Sequence, residues 1–192
     1  MSNQVSYTLN NIFLFINIVS PFMLIFYFFC KIFFSKNNQT LELGRFLMYI
    51  IGTVISIVIL YITRENIQIK NTPDIRKHPL CDIPFKFLSS ANEYVAPHMI
   101  SGILGYNFGY IVLSPSINAN IYYSSIIMFL IAINSVVEKI YNCSSVYGIV
   151  LGLLLGLIIG LVYGLIIIGT DRRLMYMNGD CNNKKYKCEL VS

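Results

Sequence analysis

Between Val146 and Gly169 the chain reads VYGIVLGLLLGLIIGLVYGLIIIG, 24 residues without a charge. About 20 apolar residues in a helix cross a hydrocarbon core roughly 30 Å thick, so this stretch is read as a membrane span. Gly148, Gly152, Gly156, Gly160 and Gly164 recur at every fourth position within it. At about 100° per residue they line one slowly drifting stripe of the helix. In water each mid-helix glycine would cost about 1 kcal/mol relative to alanine. In lipid a row of small residues lets another backbone come close, and packing then holds the two helices together. The stripe is therefore expected to be a helix contact face, toward a neighbouring span or a second copy of the chain, with a ligand-lining groove as the alternative.

The remaining sequence fits the same solvent. Of 192 residues, 56% are hydrophobic and 12% charged, and the mean hydropathy is +0.65. That is well above the roughly 45–50% apolar content of a soluble domain, and it predicts one all-α, polytopic helix bundle. The net charge of +5 comes from lysines and arginines in the connections and the tail. Charge so placed meets lipid headgroups. Membrane lipids are thus the expected partners, and nucleic acid, which wants a basic face on a folded soluble domain, is not. Cys30, Cys81, Cys143, Cys181 and Cys188 are scattered. Free thiols are expected, with no metal site, because no histidine or second cysteine pair lies near Cys181 and Cys188. No phosphate-cradling loop or heme motif calls for a cofactor.

Taken in order, the chain offers about five spans and a tail. The N-terminal MSNQVSYTLN lacks the basic region and cleavage site of a signal peptide, so the first apolar run is expected to be retained. Span one covers about 12–34. A polar connection leads to span two at about 46–63, with Arg45 and Arg64 at its ends. A loop over 64–96, broken by Pro73, Pro79 and Pro84, is the longest connection. Span three, 97–113, carries Gly102, Gly105 and Gly109, and span four covers 119–137. Glu138 to Ser145 reads as an exit loop, with Glu138 and Lys139 solvated at the membrane edge. The glycine helix follows, closing a transmembrane domain of residues 1–170, and 171–192 form a basic polar tail. Asn17, Asn107 and Asn134 are placed to bond between helices. In this order the second and fourth connections share a face, and span three starts on it.

On that face the residues follow a pattern. Lys70 leads to Lys77-His78-Pro79-Leu80-Cys81-Asp82, then Tyr94-Val95-Ala96-Pro97-His98-Met99 opens a span. Ser135 to Ser145 reads SVVEKIYNCSS before the glycine helix. This order resembles the type 2 phosphatidic acid phosphatases, or lipid phosphate phosphatases, over roughly Lys70 to Gly164. Within that family it is most similar to short members from large DNA viruses. The resemblance implies a helical membrane core with three motifs on one face: Lys and Arg-Pro, then Pro-Ser-Gly-His, then Arg followed by His. In the family the last histidine attacks phosphate, the second-motif histidine protonates the leaving group, and the cations hold the phosphate oxygens. Such chemistry needs cationic forks and imidazoles titrating near neutrality.

The departures shape what is expected of this chain. His78-Pro79 stands where Arg-Pro belongs, and Ala96 and Pro97 precede His98 in place of Ser and Gly. Glu138 stands at the arginine place and Ser144 at that of the nucleophilic histidine. A carboxylate in place of a guanidinium repels phosphate, because like charges in a low dielectric cost several kcal/mol. The expectation is a non-catalytic relative that binds a lipid phosphate headgroup or acts as a scaffold, with Arg76 and Lys77 as phosphate contacts. An active phosphatase using His78 and His98 is the first alternative. A structural membrane protein of a virion or organelle, assembling through the glycine helix, is the second.

Overall fold

A computed structural model describes residues 19–22, 24–30, 32, 39–67, 96–113, 117–141 and 144–175. Every secondary-structure element among them is a helix, as the composition predicts. They are α1 (Val19–Cys30), α2 (Gln39–Ile67), α3 (Met99–Val112), α4 (Ile117–Ile140) and α5 (Val146–Asp171), with a short 3-10 turn at Arg172–Leu174. Helix α2, residues 121–140 of α4, and α5 are long and apolar enough to cross a membrane. Helix α3 has 14 residues, a length of about 21 Å. The rest of the expected first span lies outside the described residues.

The outer face of the bundle is apolar. Leu47, Val54 and Val58 on α2, Phe129 and Val136 on α4, and Leu154, Ile158 and Leu165 on α5 all point outward, about half exposed or more. In water such belts would far exceed the apolar patch of a monomeric protein, whereas lipid tails solvate them. The inward face of α2 is the polar one: Glu42, Arg45, Tyr49, Thr53, Ser56 and Arg64 are all buried. A polar stripe packed inside and an apolar belt outside make this an integral membrane protein.

Helix α3 sits at the centre, with every residue except Phe108 and Val112 buried. Its glycines mesh with those of α5. A Cβ on Gly156 would meet the backbone of Gly102 and Tyr106, and one on Gly160 the backbone of Tyr106 and Tyr110. From the other side, Gly105 faces the backbone of Leu153 and Leu157, and Gly109 that of Leu157 and Leu161. At the start of both helices the His98 amide donates to the Gly148 carbonyl at 2.9 Å, and Gly152 lies against the His98 backbone. The far end closes where Gly164 meets Leu113. The two helices are thus parallel and in backbone contact. The stripe of α5 is filled by α3 of the same chain, so a second copy would have to displace α3 to use it.

The other helices alternate around this pair. Leu60 of α2 packs on Met99 and Ile103 near the start of α3, while Tyr49 donates to Asn107 Oδ1 at 2.6 Å further along. Helix α2 therefore runs antiparallel to α3. Asn134 Nδ2 of α4 donates to Ser101 Oγ at 2.9 Å near the start of α3, while Ile127 shares a cluster with Tyr110 and Ile111 near its end, so α4 is antiparallel too. Phe22 of α1 joins the Leu60 cluster and Phe28 meets Tyr49 edge to face at 4.7 Å. Up-down alternation follows, and the ends of α2 and α4 lie beside the starts of α3 and α5. Asn107 and Asn134 bond between helices as expected, and Asn17 lies outside the described residues.

Two boundaries differ from expectation, both because charge is buried rather than solvated. Helix α2 starts at Gln39, not near residue 46. Its first turns carry the buried pair Arg45 Nη1–Glu42 Oε1 at 2.5 Å, and Arg45 Nε donates to the Arg173 carbonyl at 2.8 Å. Helix α4 continues to Ile140 and takes Glu138 inward, 2% exposed, while Lys139 points out. The exit loop is correspondingly shorter.

A modest test lies in the Tyr49–Asn107 bond. Asn107 Nδ2 already has no partner among the described residues, so Tyr49→Phe is expected to destabilise the bundle by about 1 kcal/mol, typical of one interhelical bond in lipid. Unfolding against a rising fraction of dodecyl sulfate in mixed micelles reads it.

Candidate functional site

Where the starts of α3 and α5 meet the end of α4, a polar junction is buried. His98 precedes α3 with extended backbone and caps it: its Nδ1 accepts from the Ser101 amide at 3.4 Å and lies 2.9 Å from Ser101 Oγ. A histidine that accepts through Nδ1 carries its proton on Nε2 when neutral. Ser101 Oγ receives the Asn134 amide, so its own hydroxyl proton is free to go to His98. A chain of donors therefore runs from Asn134 through Ser101 to the imidazole.

The other ring nitrogen meets the carboxylate. His98 Nε2 is 3.4 Å from Glu138 Oε2, and both side chains are 3% exposed. Oε2 has no hydrogen-bond partner among the described residues. Asn134 and Glu138 are four residues apart on one face of α4, so one helix face presents both ends of the junction. The structure brings His98 and Glu138 together where the end of α4 meets the start of α3. The solvated position expected for Glu138 is incorrect: with Asn134 facing α3, the next turn of the same stripe must also face inward.

Ser144 lies just before α5, 7% exposed, with an Oγ that has no partner among the described residues. Its neighbour Ser145 does the capping, accepting the Gly148 amide at 3.0 Å. Arg64, near the end of α2 and 2% exposed, belongs to the same end of the bundle. Sequence reading takes Arg64 as a span-end marker. The signal that it turns inward was the spacing Ser56, Leu60, Arg64 on the polar stripe of α2. His78, Arg76 and Lys77 lie outside the described residues, as do Cys81, Cys143, Cys181 and Cys188; Cys30 is a free thiol.

Chemically the junction is a buried imidazole–carboxylate pair. To protonate a leaving group, Nε2 would have to face substrate, and it faces Glu138 instead. A phosphate entering here would meet a carboxylate where a guanidinium is needed. A histidine and one carboxylate are also too few ligands for a metal, and among the described residues no three His, Cys, Asp or Glu side chains gather. What the geometry does well is tie α3, α4 and α5 together at one end. Comparison with protein-family models, curated proteins and solved structures finds no match.

Proposed function

We propose that the chain is a non-catalytic, multi-pass membrane scaffold, laid out like the lipid phosphate phosphatases but without their hydrolysis. The observation that carries this reading is the His98–Glu138 pair. The imidazole in the second-motif place is capped on one nitrogen, faces a carboxylate on the other, and is closed to solvent. Ser144, at the place that the resemblance gives to the nucleophile, has no hydrogen-bond partner for Oγ among the described residues. Serine is a weak nucleophile unless an adjacent base activates it.

The test is an activity assay on full-length protein in phosphatidylcholine vesicles, with phosphatidate and pyrophosphate as substrates. Phosphate release at the level of empty vesicles is expected, unchanged by His98→Ala. Turnover that disappears with His98→Ala would overturn the proposal in favour of an active phosphatase.

A further inference from the structure

A second feature lies on the lipid-facing side of the same end. Because its glycines draw α5 onto α3, and α4 packs on α3 through Val137, α4 stands off from α5. A groove of about 370 Å³ opens between them. Its walls are Val136 and Ile140 of α4 and Val146 and Val150 of α5, its floor is the buried Ile149, and Lys139 stands at its rim. The α5 wall rises over roughly 10 Å, from Val146 to Leu153.

We propose that this groove seats an acyl chain of one anionic phospholipid, whose headgroup is held by Lys139. The inference rests on the membrane reading above and is independent of whether the His98 junction is catalytic. Apolar walls that open toward the bilayer suit a hydrocarbon chain. The headgroup preference comes from the last turn of α4, where Glu138 is turned inward onto His98 and Lys139 is exposed. Among the described residues Lys139 has no acidic partner. Its stem can lie along the apolar rim while the ammonium reaches the headgroup layer. The outward charge at this end of α4 is therefore positive, as an anionic headgroup requires.

The chain contains no tryptophan, so a single introduced indole reports on its surroundings alone. Leu154→Trp places one beside the groove, at a position 54% exposed. Val58→Trp places a control on the outer face of α2, 49% exposed and at similar depth, because Leu60 packs over Gly102. Each full-length variant is reconstituted into phosphatidylcholine containing about one fifth phosphatidylserine, with bromine on the chains of one lipid or the other. The Leu154→Trp reporter is expected to favour phosphatidylserine by about fivefold per lipid molecule, so that brominated phosphatidylserine, although the minor lipid, quenches it about as strongly as brominated phosphatidylcholine. The control should show no preference. Adding Lys139→Gln should abolish the preference and Lys139→Arg should keep it.

Quenching of Leu154→Trp by the two lipids in proportion to their abundance overturns the proposal, as does a preference that survives Lys139→Gln. A Leu154→Trp reporter shielded from both lipids, while Val58→Trp is quenched, means that another helix or a second copy fills the groove, and this also overturns it. If neither reporter is quenched, the membrane reading itself fails.

Discussion

Gly156→Ala is expected to destabilise the bundle by about 2–3 kcal/mol, the upper range for overpacking, although it adds a single methyl group. The added carbon would fall on the Gly102 carbonyl, and backbone on the central helix has no rotamer into which it can retreat. The same change elsewhere on α5 gives a graded series. At Gly164 the nearest atom is Leu113 Cδ1 at 2.9 Å, the mobile end of a side chain, so the cost should stay below about 1 kcal/mol. At Gly169 nothing lies within 4 Å, and alanine should be neutral or slightly stabilising. Mixed-micelle unfolding of the three variants checks the order. A Gly156→Ala protein that unfolds like the parent but loses self-association would mean that the stripe serves a second copy instead of α3.

Arg45→Leu is the second large effect, expected to cost about 3–5 kcal/mol, because it strands the Glu42 carboxylate in a site where both side chains are under a tenth exposed. Replacing both partners should be far milder than replacing one. Glu42→Leu with Arg45→Leu removes both buried charges together and should come back to within about 1 kcal/mol of the parent. The residual loss reflects the Arg173 carbonyl, which then has no donor from Arg45. A double-mutant cycle measured by the same unfolding method reads both numbers. If the two single substitutions prove additive, the pair contributes no coupling, and the turn after α5 is held by something else.

These residues also show what the sequence reveals and what it hides. The α5 stripe was legible because glycine at every fourth place of an uncharged helix has few other uses, and the span itself because no charge interrupts it. Its partner was harder to see. Gly102, Gly105 and Gly109 suggest close packing, but nothing in their spacing says that α3 faces α5 and not α2. That choice follows from three-dimensional register. Burial of Glu42, Arg45, Glu138 and Arg64 was missed for a physical reason: charged residues at span ends ordinarily reach the headgroups. The contrary signal was present in their phase. On α2, Glu42, Arg45, Tyr49, Thr53, Ser56 and Arg64 fall on one stripe, and in lipid the polar stripe is the one that seeks protein. The junction at His98 was half legible. Sequence reading singles out His98, Glu138 and Asn134 one by one, whereas Ser101, which lies 2.9 Å from the imidazole, comes from helix phase alone.

The most direct test of the account concerns the alternation of helices through a bilayer. In a cysteine-free full-length background, Glu65→Cys near the end of α2, Ser145→Cys at the start of α5 and Asp171→Cys at its end each place a thiol at an exposed position. Sealed, uniformly oriented membrane vesicles are treated with a maleimide that cannot cross lipid. Glu65→Cys and Ser145→Cys should react alike, and Asp171→Cys should show the opposite behaviour until the vesicles are opened. Reaction of all three from one side, or of the first two from opposite sides, would contradict the fold described here.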